Sequence, residues 1–75
     1  MSNELAKKIE KILEPIVGDF IAKAAVKAQC KSIGTTPDDL QTYHLEPLSK
    51  KIESALRIYG YEDTEVGEKI RHLKG

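Results

Sequence analysis

Three kinds of side chain in this sequence could do chemistry: a lone cysteine, Cys30, two histidines, His44 and His72, and a row of lysines, Lys23, Lys27 and Lys31. A single thiol with a histidine elsewhere in the chain can act as a nucleophile, provided the thiol reaches its thiolate form. Cys30 extends an apolar stripe between Val26 and Ile33, towards a helix C-terminus where the dipole disfavours a thiolate, although Lys27 and Lys31 act in the opposite direction. Free cysteine is also among the most buried residue types, so packing is the role expected of it. The histidines have no partners at metal-binding spacing, since neither HxxxH nor CxxC occurs. No metal and no cofactor is expected.

Adjacent carboxylates occur at Asp38-Asp39 and at Glu62-Asp63. Catalytic acid pairs need one pocket and two different environments, whereas both of these pairs fall where helices should begin and where acids cap the positive end of the helix dipole. Capping accounts for them, and a calcium loop would need alternating oxygen ligands that are absent. No catalytic residue is assigned, and the chain is not expected to be an enzyme.

The lysines, each four residues from the next, share one edge of a helix, with Lys7, Lys8 and Lys11 as possible reinforcement. Such an edge could meet phosphates or lipid head groups. No arginine, tryptophan or aromatic platform accompanies it, and Gln29 alone would not read base edges. The expectation is a solvated helix face, with nucleic-acid or anionic-surface binding through Lys23, Lys27 and Lys31 as the alternative.

The elements that position these groups are all helical. Leu5, Ile9, Ile12, Leu13 and Ile16 recur at helical spacing behind a cap at Ser2 or Asn3, and Pro15 is expected to end that helix near Glu14 or kink it. A central helix then runs from Ile16 to Gly34, with Val17, Ile21, Ala24 and Ala28 as its stripe, widened by Phe20, Ala25 and Cys30. Thr36 and Pro37 read as the start of a short third element, Pro47 restarts a helix with Leu48, Ile52, Ala55, Leu56 and Tyr59 on one face, and Gly60 ends it. Asp63 or Thr64 caps a last helix with Val66, Ile70 and Leu73, in which Gly67 costs about 1 kcal/mol against alanine. The prediction is an all-α, compact bundle of four to five short helices forming a single domain over residues 1–75.

The segment LEPIVGDFIAKAAVKAQCKSIG, followed by TPDDL and a helix ending in YG, resembles short helical proteins and appended domains of archaea and bacteria. These have an Ile-Gly-Pro-like turn, an alanine- and lysine-rich helix and a Pro-Asp/Glu linker. The resemblance spans about residues 12–60 and implies no activity, so it supplies no site residues.

Composition bounds the rest. Twelve basic and twelve acidic residues leave no net field to draw in nucleic acid or membrane. One cysteine excludes an internal disulfide, and neither a signal-peptide core nor an apolar membrane span is evident, so a cytoplasmic location is expected. A chain of 75 residues buries only about 60% of its unfolded surface, and association is the cheapest supplement to so small a core. The expected function is therefore a small interaction or dimerisation module. Its partner would be a second copy or another protein, and the expected interface is Gly18, Phe20, Ile21, Ala22 and Ala25, where small residues admit another backbone.

Overall fold

The helices begin and end at residues whose side chains or backbone freedom set the boundary. The computed structural model describes residues 3–61 and 65–73. These form α1 (Glu4–Val17), α2 (Asp19–Ser32), a 3₁₀ turn (Thr42–His44), α3 (Leu45–Ile58) and α4 (Glu65–Arg71), with no strand among the described residues. Helices α1 and α3 each pack against both α2 and α4, so the elements close a ring around one core. The all-α bundle expected from the periodicity is what the chain adopts.

Gly18 is the whole connection between α1 and α2. Its amide donates to the Glu14 carbonyl at 2.8 Å and its carbonyl accepts from the Ala22 amide at 3.0 Å, so one residue closes the first helix and opens the second. At φ 87° and ψ 164° it occupies a region that only glycine enters without strain. This corrects the expected boundaries: Pro15 lies inside α1, the helix continues to Val17, and the break in the Ile16–Gly34 stretch falls at Gly18. A proline two residues before the end removes a single intrahelical donor, which the chain tolerates because the helix is about to stop.

Both α2 and α3 end in Schellman motifs. Thr35 and Gly34 donate to the carbonyls of Cys30 and Lys31, and Tyr61 and Gly60 donate to those of Leu56 and Arg57, with both glycines at positive φ. The loop between these helices carries a second correction. Thr36 does not cap a helix; its hydroxyl accepts from the Asp39 amide at 3.3 Å and donates to the Asp39 carboxylate at 3.1 Å, closing a turn. Asn3 ties that turn to the start of the chain. Its side chain accepts from the Ala6 amide as the cap of α1, while its Nδ2 donates to the carbonyls of Leu40 at 2.7 Å and Asp38 at 3.3 Å.

The core is Leu5, Ala6, Ile9 and Leu13 from α1, Ala22, Val26 and Cys30 from α2, Leu40 from the loop, Leu45, Leu48, Ile52 and Leu56 from α3, and Val66 and Ile70 from α4. The stripes read for α1, α3 and α4 are recovered, apart from exposed Tyr59 and half-buried Ala55, Ile12, Ile16 and Leu73, the last of which lies beyond the end of α4. The stripe read for α2 is recovered at Cys30, with Val17 and Ala25 half-buried, but Phe20, Ile21, Ala24 and Ala28 are exposed, and Ala22 and Val26 take the inward places. Asp63 and Thr64, read as caps of the last helix, lie outside the described residues.

A polar seam fixes α4 on α3. Buried Ser49 donates to the Glu46 carbonyl at 2.7 Å and accepts from Arg71 Nη1 at 3.2 Å, and the same guanidinium nitrogen reaches Glu53 Oε1 at 3.4 Å. Gly67 belongs to this seam, because a Cβ there would collide with the Glu53 carboxylate. The glycine that weakens α4 as an isolated helix is what admits Glu53 against it.

Two outcomes check these connections. Gly18→Ala is expected to lower stability by about 1–3 kcal/mol in urea unfolding, purely through backbone strain, since a Cβ at this position meets nothing within 4 Å. Asn3→Ala is expected to cost about 1–2 kcal/mol by the same measurement, from loss of the cap and of its loop bonds.

Candidate functional site

Helix α2 reads as four rows of residues spaced four apart, and the fold assigns each row a different surrounding. Ala22, Val26 and Cys30 are fully buried. Rotated by about 100° to one side lie Lys23, Lys27 and Lys31, all exposed. Rotated by about the same angle to the other side lie Ile21, Ala25 and Gln29. The fourth row, Phe20, Ala24, Ala28 and Ser32, is exposed throughout.

The last two of these rows face the C-terminal part of α3 across an open groove of about 360 Å³. Its lining is Ile21, Ala24, Ala25, Ala28 and Gln29 from α2 and Ala55, Tyr59 and Tyr61 from α3 and its cap. No lining residue is charged. Phe20, 79% exposed, continues the Ala24–Ala28 row, and Ile58, 83% exposed, lies three residues beyond Ala55, so two large apolar side chains extend the walls. Isolated exposed apolar residues are ordinary, whereas contiguous ones around a groove mark a contact surface.

Of the five residues expected at the interface, Ile21 and Ala25 line this groove and Phe20 stands at its edge. Ala22 does not belong to any surface, because it is buried in the chain's own core. Gly18 is exposed, but its role is the turn between α1 and α2. The sequence reading missed the contribution of α3. Ala55 and Tyr59 continue the Leu48–Ile52 face and so read as core, whereas in the fold they line the groove from α3 itself, and the Gly60 cap brings Tyr61, the residue after it, alongside them.

Cys30 is buried, and burial pushes its thiol up to about 11. A thiol held protonated and out of solvent is a poor nucleophile. The Nδ1 atom of His44 accepts from the Gln41 amide at 2.9 Å, and its ring lies 4.2 Å from that of Tyr43, so this histidine organises the 3₁₀ turn. His72 sits at the end of α4, where its amide donates to the Glu68 carbonyl. Asp39 is held in the Thr36 turn, and Glu62 and Asp63 lie outside the described residues. Among the described residues, no three of His, Cys, Asp and Glu converge as a metal site would require, and no helix is long and apolar enough to cross a membrane. Family models, curated proteins and solved structures return no match to the chain.

The Cys30 environment sets a pH dependence. Its folded value near 11 exceeds the ordinary 9.0, so above pH 9 the unfolded chain releases a proton that the folded chain retains, and stability falls with rising pH through that window. Wild type is expected to lose about 2 kcal/mol more than Cys30→Ala between pH 9 and 11. Parallel urea titrations of the two proteins measure the difference.

Proposed function

We propose that this chain is a small, non-catalytic interaction module of the cytoplasm, whose contact surface is the groove between α2 and the C-terminal part of α3. It would join a second copy, as a homodimer, or another protein. The observation that carries the reading is the contiguity of exposed apolar residues there: Phe20, Ile21, Ala24, Ala28, Ile58 and Tyr59 lie on or beside one groove while a separate core closes the ring of helices. Four alanines in the lining suit the close approach of another helix, because small side chains let backbones come near.

Ala28→Arg tests this without threatening the fold, since Ala28 is exposed. Wild type is expected to associate in sedimentation velocity at high concentration or to bind a hydrophobic dye in its folded state, and Ala28→Arg to suppress either signal by about tenfold. A wild type that stays monomeric, binds no dye and is indistinguishable from Ala28→Arg would overturn the reading.

A second reading rests on the exposure of Lys23, Lys27 and Lys31 along one edge of α2. Were this edge an anion-binding surface, binding to single-stranded DNA or anionic vesicles would weaken with salt and disappear on triple substitution to glutamate. Binding unchanged by that substitution would remove the lysines from consideration.

A further inference from the structure

The charges that border the groove narrow what can occupy it. On α2, exposed Lys27 and Lys31 follow Ala24 and Ala28 by three residues, which places them on adjoining positions of the helix surface. On α3, exposed Lys51 precedes Ala55 by four residues and lies on the same line. The one acid of α2 is Asp19, in its first turn. Glu62 and Asp63, which follow Tyr61 in the chain, lie outside the described residues. Among the described residues, then, an uncharged groove has a lysine border on both walls. Gln29, Tyr59 and Tyr61 add amide and hydroxyl donors to its lining.

Two copies meeting through this surface about a two-fold axis would present the same patch to each other. Whether α2 faced α2 or α2 faced α3, lysine would oppose lysine, and juxtaposed like charges count against a pairing. A partner carrying carboxylates meets the same border with attraction. The alanine floor favours a helix over a bulkier surface, since it allows an axis to settle between α2 and α3.

We propose that the groove receives an amphipathic helix of a partner protein whose apolar stripe is bordered by carboxylates, and not a second copy of this chain. This rests on the reading of the groove as a contact surface and adds the chemistry of its occupant.

The test uses the full chain and two synthetic helical peptides of about 18 residues, roughly five turns. Both share a leucine and phenylalanine stripe at i, i+3, i+4 and i+7; one is flanked by glutamate and the other by lysine. In fluorescence anisotropy the glutamate peptide is expected to bind at least about tenfold more tightly at low salt, with an advantage that shrinks as salt is added. Lys27→Glu combined with Lys31→Glu, both at exposed positions, is expected to reverse the preference while leaving the circular dichroism spectrum unchanged. Equal binding of the two peptides, or preference for the lysine peptide, would overturn the proposal and leave the contact-surface reading standing. So would a wild-type dimer that binds neither peptide and dissociates on Ala28→Arg. A monomer that binds neither and is unaffected by Ala28→Arg would overturn both.

Discussion

The single-residue joint at Gly18 is the constraint from which most of this structure follows. With no loop between them, α1 and α2 cannot choose their relative rotation freely: the direction in which α2 leaves Gly18 decides which of its four rows meets the apolar stripe of α1. The row selected is Ala22, Val26 and Cys30, the one that combines small volume with burial. Leu5, Ile9 and Leu13 supply the bulk on the opposing side. Once that pairing is made, the lysine row and the Ile21–Ala25–Gln29 row are carried to opposite flanks, and α3 can approach only on the latter. The groove is thus the place where α3 packs incompletely against a helix whose rotation was already set.

Why α3 leaves a groove is also a matter of side-chain size. Alanine has the highest helix propensity and loses no rotamer entropy, so α2 can present a smooth apolar flank without weakening itself as a helix. A flank built of leucine would have filled the space against Ala55 and Tyr59, and the bundle would have closed. Here the side chains are too short to reach, and Phe20 and Ile58, which are long enough, sit outside the contact. The same economy of volume appears at Gly67, where a missing side chain makes room for the Glu53 carboxylate instead of leaving a void.

How much of this was legible in the residues varies element by element. In α1 and α3 the polar positions alternate with apolar ones at a clear helical period, and Leu5, Ile9, Leu13, Leu48, Ile52 and Leu56 were readable as core from spacing alone. Helix α2 resists such reading because three of its four rows are apolar or small, and only the lysines mark a direction. Periodicity says which side faces water; it cannot rank the remaining three. The Thr-Thr-Pro-Asp-Asp segment misleads for a related reason, since a threonine that caps a helix and one that closes a turn satisfy the same downstream amide. The site was the least legible part, because the juxtaposition of Tyr59 and Tyr61 with α2 is a relation between distant positions that no local pattern contains.

The stitch made by Asn3 bears on the order in which the chain assembles. The turn at Gly18 and the two Schellman caps are local, so α1, α2 and α3 can each acquire their ends without distant help. Asn3, by contrast, contacts residues 35 and 37 positions away, through Asp38 and Leu40, and closing so wide a loop has an entropic cost that is recovered only when both ends are already in place. It is therefore expected to form late, and what it joins is the irregular stretch between α2 and the 3₁₀ turn. The longest connection in this bundle takes its shape from a residue at the far end of the chain, so the two will gain or lose order together.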